Sequence, residues 1–335
     1  MRRLLLTAAV TTAATLTLAA CGTTEDAADD DDKGGAGKGA AQPITLTDYT
    51  GKKVTLEDGP AEKVVATEWN VVEHLISLGV DPVGVADVKG YNTWDSAVPL
   101  TNEPKEIGTR GEPSIDTIAS LNPDLVIATN DLPKSAVKQL SSKTTVLTLR
   151  SADASDPVGQ MIENLDLVAK ATGTTEQAEK LKKDFDAKLR EGKQALADAG
   201  LDGANIAFAD GYVVSNQVSV RPFTGGSLIG GVNERLGLKN AWDVEGDKDY
   251  GLGSTDVEGL TKLPDDVQFV YIANDEDDAS TPFTKGGELA DNSVWKSLPF
   301  VKAGDVHRMD DGIWMFGGTG TMTAYVDSLV GALTK

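Results

Sequence analysis

Short apolar runs alternate with helical stretches along most of this chain, and this alternation constrains the fold more than any other feature. Every residue of the run 125–129 is apolar or β-branched, so both faces of that strand should be buried. Further strand-like runs occupy residues 64–67, 83–86, 144–149, 206–209, 267–273 and 306–309. Buried strands that alternate with helices are typical of parallel sheets covered on both faces. The sequence therefore predicts an α/β protein with mainly parallel sheets.

A helix-only segment divides these runs into two groups. Residues 156–199 contain no strand-like run; Pro157 suits a first helical turn, and Gly173 breaks the pattern. We therefore predict an N-terminal α/β lobe at 44–155, a connecting helix at 156–173 and a C-terminal α/β lobe at 174–335. Each lobe should be Rossmann-like, with a ligand cleft between the lobes at the carboxyl ends of the strands.

The N-terminus has the pattern of an export signal. Two arginines precede a run of apolar and small residues, 4–20, which ends just before Cys21, the only cysteine of the chain. The Leu-Ala-Ala-Cys context resembles the bacterial lipobox, in which the cysteine sulfur is alkylated with diacylglycerol. We predict a signal peptide at 1–20 and lipidation of Cys21, since two acyl chains suffice to anchor a domain. An ordinary signal that happens to contain a cysteine is the alternative.

Composition and charge restrict the location and partners of the remainder. Residues 21–43 begin with Cys21 and consist mostly of Gly, Ala, Asp and Lys. Because they contain few side chains that a core could bury, we predict a flexible acidic tether. The chain has 52 acidic and 31 basic residues, a formal charge of −21, which argues against a nucleic-acid partner. No later apolar run could cross a bilayer. We expect an extracytoplasmic monomer held at the cell membrane by its lipid alone.

The sequence offers no catalytic constellation. The two histidines, His74 and His307, stand far apart, and neither a Gly-x-Ser-x-Gly elbow nor a His-Glu-x-x-His zinc motif is present. The glycine-rich stretches 225–231 and 317–320 lack the Gly-Lys-Ser/Thr that would hold a nucleotide. We therefore expect no enzyme, no cofactor and no protein-built metal site, so that any metal would arrive inside an organic chelate.

Large aromatic residues and arginines follow the predicted strands, where loops of both lobes would face the cleft. Rings give area and orientation to a small-molecule site, and arginine offers a planar fork of donors for carboxylate, hydroxamate or catecholate oxygens. Arg110 lies in a Gly-flanked loop, a setting that a merely solvated arginine does not need. For any one tryptophan, burial in the core explains the residue equally well. The candidate ligand-binding residues are Trp69, Tyr91, Trp94, Arg110, Asn130, Tyr212, Arg221, Trp314 and Phe316.

Several motifs of both lobes occur together in one order and spacing. The N-terminal ones are Gly108-x-Arg110-x-Glu112-Pro113-Ser114-Ile115-Asp116 and Leu121-x-Pro123-Asp124-Leu125. The C-terminal ones are Leu236-Gly237-Leu238-x-Asn240-Ala241-Trp242, Trp295-x-x-Leu298-Pro299 and Trp314-x-Phe316-Gly317-Gly318. From residue 44 to residue 333 the chain thus resembles the extracytoplasmic substrate-binding proteins of ferric-siderophore ABC transporters. The resemblance implies two lobes joined by a long rigid helix and no catalytic step.

The resemblance also implies roles for individual residues. The arginine matching Arg110 would hydrogen-bond the iron-chelating oxygens, and the aromatic run 314–316 would pack on the ligand from the other lobe. Leu252 departs from the pattern, because a hydroxamate-binding relative carries an aromatic residue there, and Tyr250 would substitute for it. Different residues would meet the permease: Asp116 and Glu234 are the nearest matches to the acids that contact its arginines.

The function implied is that of a lipid-anchored receptor which binds a ferric siderophore and delivers it to an ABC permease for iron uptake. The same architecture is used for cobalamin and haem, which stay open as ligands. A surface interaction protein without a transport role is the alternative of another class. Two arginines on a strongly acidic body favour a neutral or cationic hydroxamate over catecholate or citrate, although the sequence does not name the siderophore.

Overall fold

The computed structural model describes residues 42–277 and 282–335. The predicted signal peptide 1–20, the predicted lipidation site Cys21 and nearly all of the predicted tether 21–43 lie outside the described residues. Among the residues that are described, no helix combines the length and the apolar character that a membrane span requires.

A small hairpin opens the described chain, as the sequence predicts. Strands β1 (Ile44–Thr47) and β2 (Lys53–Leu56) pair antiparallel. The carboxylate of Asp48 closes the turn between them, because its Oδ1 accepts from the backbone N–H groups of Thr50 and Lys52 at 2.9 Å each. The turn therefore follows from an Asx-type hydrogen bond that competes successfully with regular structure.

The N-terminal lobe is built on a parallel sheet. Its strands are β3 (Val64–Ala66), β4 (Gly84–Val85), β5 (Lys105–Glu106), β6 (Leu125–Thr129) and β7 (Val146–Leu149), in the order β5-β4-β3-β6-β7. The helices between them are α1 (Trp69–Ser77), α2 (Val88–Trp94), α3 (Ile115–Ser120) and α4 (Lys134–Ser141). Every residue of β3, β6 and β7 is buried, which confirms the prediction that helices cover both faces of this sheet.

Two consecutive helices follow, α5 (Pro157–Thr172) and α6 (Thr175–Asp198). The Asp156 side chain caps α5 by accepting from the backbone N–H of Gly159, and Gly173 ends it at a φ of 72°. One end of α5 packs in the core of the C-terminal lobe through Met161, and the other packs in the N-terminal core through Leu165. A single helix is thus part of both cores. The exact boundaries predicted for the two lobes stay predictions.

The C-terminal lobe contains a second five-stranded sheet. Its strands are β8 (Asn205–Val214), β9 (Gln217–Pro222), β10 (Lys239–Asn240), β11 (Gln268–Tyr271) and β12 (Val306–Arg308). The order β10-β8-β11-β12 is parallel, and β9 pairs antiparallel with β8. The helices are α7 (Leu228–Arg235), α8 (Ser293–Ser297), α9 (Pro299–Ala303) and α10 (Thr319–Leu333), with 3-10 turns at Glu258–Lys262 and Glu288–Asp291. The predicted fold of two α/β lobes joined by a helix is confirmed.

The β8–β9 hairpin differs from the prediction of a short strand at 206–209 followed by loops. Strand β8 continues to Val214 and turns back at Ser215 and Asn216, whose φ angles are 51° and 61°. Two consecutive residues with positive φ are the signature of a type I′ turn, which matches the twist of paired strands. Tyr212 and Arg221 consequently lie within paired strands and not in loops.

Candidate ligand-binding cleft

Arg110 lies in a tight loop that follows β5 in the N-terminal lobe. Gly108, at a φ of 102°, forms an isolated antiparallel bridge with Pro113, so the loop returns on itself around the arginine. The guanidinium donates from Nη1 to Glu68 Oε2 at 3.2 Å, and its Cζ lies 4.0 Å from the centre of the Trp69 ring. About a third of the side chain is exposed (34%). The loop thus presents an oriented cation at the surface of the cleft.

A chain of aromatic rings connects the two lobes beside this arginine. Trp314, in the loop before α10, packs edge-on against Trp69 at 4.7 Å between ring centres and against Trp94 at 6.5 Å. On its other side Trp314 meets Phe316 at 5.2 Å, and Phe316 meets Tyr250 at 5.2 Å. These edge-to-face contacts fix ring orientation, and they form a continuous aromatic wall contributed by both lobes.

A second arginine lies at this wall on the C-terminal side. Arg221 of β9 donates from Nε to Asp210 Oδ1 at 2.8 Å and makes a second hydrogen bond from Nη2 to Oδ2. The two residues face each other because the hairpin register pairs them. The guanidinium also lies 5.8 Å from the centre of the Phe316 ring. Burial raises the pKa of Asp210, and the hydrogen bonds and charge of Arg221 oppose that rise.

Two further acids face the cleft from the N-terminal lobe. Burial raises the pKa of Glu68 from 4.5 to about 7; the charge of Arg110 opposes this effect, and the charge of Asp131 adds to it. Asp131 accepts a hydrogen bond from the Tyr250 hydroxyl of the other lobe. Burial, together with the charge of Asp131, raises the pKa of Tyr250, so the phenol stays protonated at neutral pH.

The structure brings most of the predicted ligand-binding residues together. Those that meet in one aromatic and cationic cluster are Trp69, Trp94, Arg110, Arg221, Tyr250, Trp314 and Phe316. Trp69 contributes mainly its ring, since its indole N–H donates to the backbone oxygen of Ala86 at 3.3 Å. Asn130 supports the site indirectly. Its Oδ1 accepts a hydrogen bond from the backbone N–H of Ser151 at 2.6 Å and so joins the loops after β6 and β7.

Two of the predicted ligand-binding residues lie elsewhere. The ring of Tyr91 is fully buried in the N-terminal core, and its hydroxyl donates to the backbone oxygen of Val98 at 2.6 Å, so it cannot reach a ligand in the cleft. The prediction for Tyr91 needs this correction because α2 directs that ring into the core. Tyr212 is exposed near the tip of the β8–β9 hairpin and has no ring contact with the aromatic wall among the described residues. Its predicted contact with a ligand lacks support from this placement.

The predicted docking acids are both at the surface. Asp116 is exposed in the first turn of α3, and Glu234 is exposed near the end of α7. Each lobe therefore presents one of the two carboxylates to solvent.

A small, mainly apolar pocket lies next to Phe316 and Tyr250 of the aromatic wall. Its volume of about 20 Å³ has room for one water, and Asn70, His74, Ser151 and Phe316 are among its lining residues. Burial lowers the pKa of His74 to about 4, so its imidazole is neutral. Among the residues that the structure describes, no group of three or more His, Cys, Asp or Glu side chains could hold a metal ion.

Sequence reasoning missed the acids Glu68, Asp131 and Asp210 as members of the site. The sequence signal for Glu68 was its position directly before Trp69. The sequence signal for Asp210 was the Ser215-Asn216 turn, because this turn sets the hairpin register that places Asp210 opposite Arg221. Asp131 contacts Tyr250 from a distant part of the chain, and no local pattern indicates that contact.

Comparisons with known proteins place the chain among binding proteins. Residues 64–312 match the family described as periplasmic binding protein. The Fe(3+)-citrate-binding protein YfmC of Bacillus subtilis is 28% identical over 286 residues, 84% of this chain and 82% of that protein. The probable siderophore-binding lipoprotein YfiY of the same organism is 27% identical over 281 residues, 82% of each. The Fe3+-Desferal-bound siderophore binding protein FhuD of Vibrio cholerae superposes with a TM-score of 0.71 at 23% identity, covering 82% of this chain and 98% of that one, which shows a shared fold.

Proposed function

We propose that this chain, which belongs to the periplasmic binding protein family, binds a ferric siderophore between its lobes and delivers it to an ABC permease for iron uptake. Arg110 carries the proposal. Its guanidinium lies against the rings of Trp69 and Trp314, and within the described chain it makes one side-chain hydrogen bond, to Glu68. A guanidinium has five N–H donors, so several remain for the oxygens of a chelate.

The chemistry of the cleft suits a ligand that is bound and released unchanged. The aromatic wall offers area to the organic shell of a chelate, and Arg110 and Arg221 offer donors to its oxygens. Iron would remain coordinated by the chelate, so the protein would supply shape and hydrogen bonds and no ligand to the metal. The names of the two curated relatives, which refer to ferric citrate and to a siderophore, support this class of ligand.

Anchoring and docking complete the proposal. We infer that Cys21 carries the lipid, since it follows an export signal and one relative is named a lipoprotein. Replacement of Cys21 by Ser should move the protein from the membrane fraction to the soluble fraction, and an unchanged distribution would contradict lipidation.

We assign Asp116 and Glu234 to permease docking. Their joint replacement by Ala should reduce iron uptake while leaving chelate affinity unchanged.

Tryptophan fluorescence tests the binding proposal directly. Three of the five tryptophans, Trp69, Trp94 and Trp314, lie at the cleft, so a bound ferric chelate should quench much of the emission. Ferric hydroxamate, catecholate and citrate chelates are titrated, with haem and cobalamin as competing ligands and free tryptophan as the control for absorption. Saturable quenching by an iron chelate is expected. Saturation by haem or cobalamin alone would keep a binding role and overturn the ligand class.

An Arg110→Ala variant tests the site assignment. Loss of a hydrogen bond from a charged donor costs about 1.5–3 kcal/mol, which corresponds to a Kd raised about 10- to 150-fold. Arg190→Ala is the matched control, because Arg190 is exposed on α6. Equal affinities of the two variants would show that Arg110 does not contact the chelate.

A further inference from the structure

Each arginine of the cleft already has a carboxylate partner in its own lobe. Glu68 pairs with Arg110, and Asp210 pairs with Arg221 through two hydrogen bonds. The acids are the more buried members of both pairs, with side chains 16% and 13% exposed against 34% and 33% for the arginines. The arginines therefore present N–H donors to the cleft, while the more buried carboxylates balance their positive charge.

A third pair lies at the same edge of the N-terminal sheet. Arg150 directly follows β7 and forms an ion pair with Asp153. In the neighbouring loop, which Asn130 joins to Ser151, Asp131 accepts hydrogen bonds from the hydroxyls of Tyr250 and Thr129 and forms no ion pair among the described residues. A hydrogen bond from a neutral phenol leaves the negative charge of a carboxylate in place. The charge of the cleft is therefore balanced at the arginines and negative at Asp131.

A ligand of net negative charge meets two penalties in such a cleft. It must compete with Glu68 and Asp210 for the guanidinium groups, and it is repelled by Asp131. A ferric trihydroxamate avoids both penalties, because its three hydroxamate monoanions balance the three positive charges of the iron. Its carbonyl oxygens then need only hydrogen-bond donors. Ferric citrate and ferric tris-catecholate are anionic and meet both penalties.

We infer that the cleft selects neutral or cationic ferric trihydroxamates over anionic ferric chelates, with Glu68 and Asp210 as the residues that determine this specificity. The inference rests on the proposed function and defines the ligand class within it. The acids act through charge, by balancing the arginines that contact the ligand.

The test compares four chelates that differ in charge. Ferrichrome is neutral and ferrioxamine B is cationic, whereas ferric citrate and ferric enterobactin are anionic. Titrations of the purified protein are run near pH 8, above the pKa of about 7 of Glu68, so that the Arg110 pair is ionised. The wild-type protein should bind the trihydroxamates at least about tenfold more tightly than the anionic chelates. A preference for either anionic chelate would overturn the inference and leave the proposed function standing.

Variants of the acids then test the mechanism of selection. Glu68→Gln with Asp210→Asn should raise the affinity for the anionic chelates about tenfold relative to the affinity for the trihydroxamates. Glu57→Gln with Asp265→Asn is the matched control, because both residues are exposed acids away from the aromatic wall. Equal weakening of all four chelates would show that the acids only position the arginines, and would overturn their role in specificity.

Two outcomes remain. If the double variant does not fold, as judged by circular dichroism, the exposed Asp131→Asn variant replaces it and should shift affinities in the same direction. Lack of binding of all four chelates to the wild-type protein would overturn the proposed function, and the inference with it.

Discussion

Glu73 offers the sharpest test of how the two lobes are joined. This acid of α1 is completely buried, and its carboxylate accepts hydrogen bonds from the backbone N–H groups of Gly318 and Thr321 at the start of α10, the latter at 2.9 Å. The first N–H groups of a helix lack partners within the helix, and the helix dipole favours a negative charge there. A side chain of the N-terminal lobe thus caps a helix of the C-terminal lobe.

The magnitude of this cap follows from opposing contributions. Two hydrogen bonds to a charged acceptor contribute about 1.5–3 kcal/mol each, and the interaction with the helix dipole adds up to about 1 kcal/mol. Burial of the carboxylate works against them and raises the pKa of Glu73, while the N–H bonds lower it. We expect Glu73→Ala to reduce the free energy of unfolding by about 3 kcal/mol. Glu73→Gln keeps one acceptor oxygen and should cost about half as much.

Urea denaturation followed by circular dichroism measures this change. With an m value near the upper end for small proteins, about 3 kcal/mol per molar urea, a loss of about 3 kcal/mol lowers the midpoint by about 1 M. Glu57→Ala is the matched control, since Glu57 is an exposed acid in the same lobe. A Glu73→Ala midpoint equal to that of the control would refute the reasoning that this carboxylate holds the lobes together.

Two further predictions concern stability. The pKa of Glu68 rises from 4.5 to about 7 on folding, so the folded protein binds this proton more tightly. Stability should therefore fall as pH increases from about 4.5 through about 7, by at most about 3 kcal/mol, and Glu68→Gln should flatten that slope in urea titrations at several pH values. Buried Ser227 caps α7 by accepting from the backbone N–H of Gly230 at 3.0 Å, so Ser227→Ala should cost about 1 kcal/mol. An unchanged melting temperature would contradict this role.

Much of the fold could be predicted because its central strands are buried on both faces. The run 125–129 is apolar or β-branched throughout and forms β6, the strand beside β3 in the sheet. The edge strand β5 consists of Lys105 and Glu106, both exposed, so no hydrophobic pattern marks it. A two-residue strand held by backbone pairing to β4 depends on its neighbour and not on its own side chains.

The candidate site was predicted less completely, because its charge balance arises from contacts between distant residues. Arg110 could be identified from its glycine-flanked loop, whereas its partner Glu68 lies 42 positions away and comes near only when β4 pairs with both β3 and β5. Tyr91 was misplaced for a related reason. The sequence indicates that it follows a strand, but the direction of its ring depends on how α2 packs, which tertiary contacts decide.

The contacts between the lobes differ in burial, and this difference bears on how a ligand would enter. Behind the aromatic wall the start of α10 is held by Glu73, and the hydroxyl of Thr321 donates to buried Asp95 at 2.7 Å. At the exposed surface the lobes meet through the Tyr250–Asp131 hydrogen bond. Exposed hydrogen bonds open at small free-energy cost, whereas buried ones do not. We therefore expect the cleft to open at its outer edge while α5 and the Glu73 cap keep the lobes nearly fixed, a limited motion in place of a wide hinge.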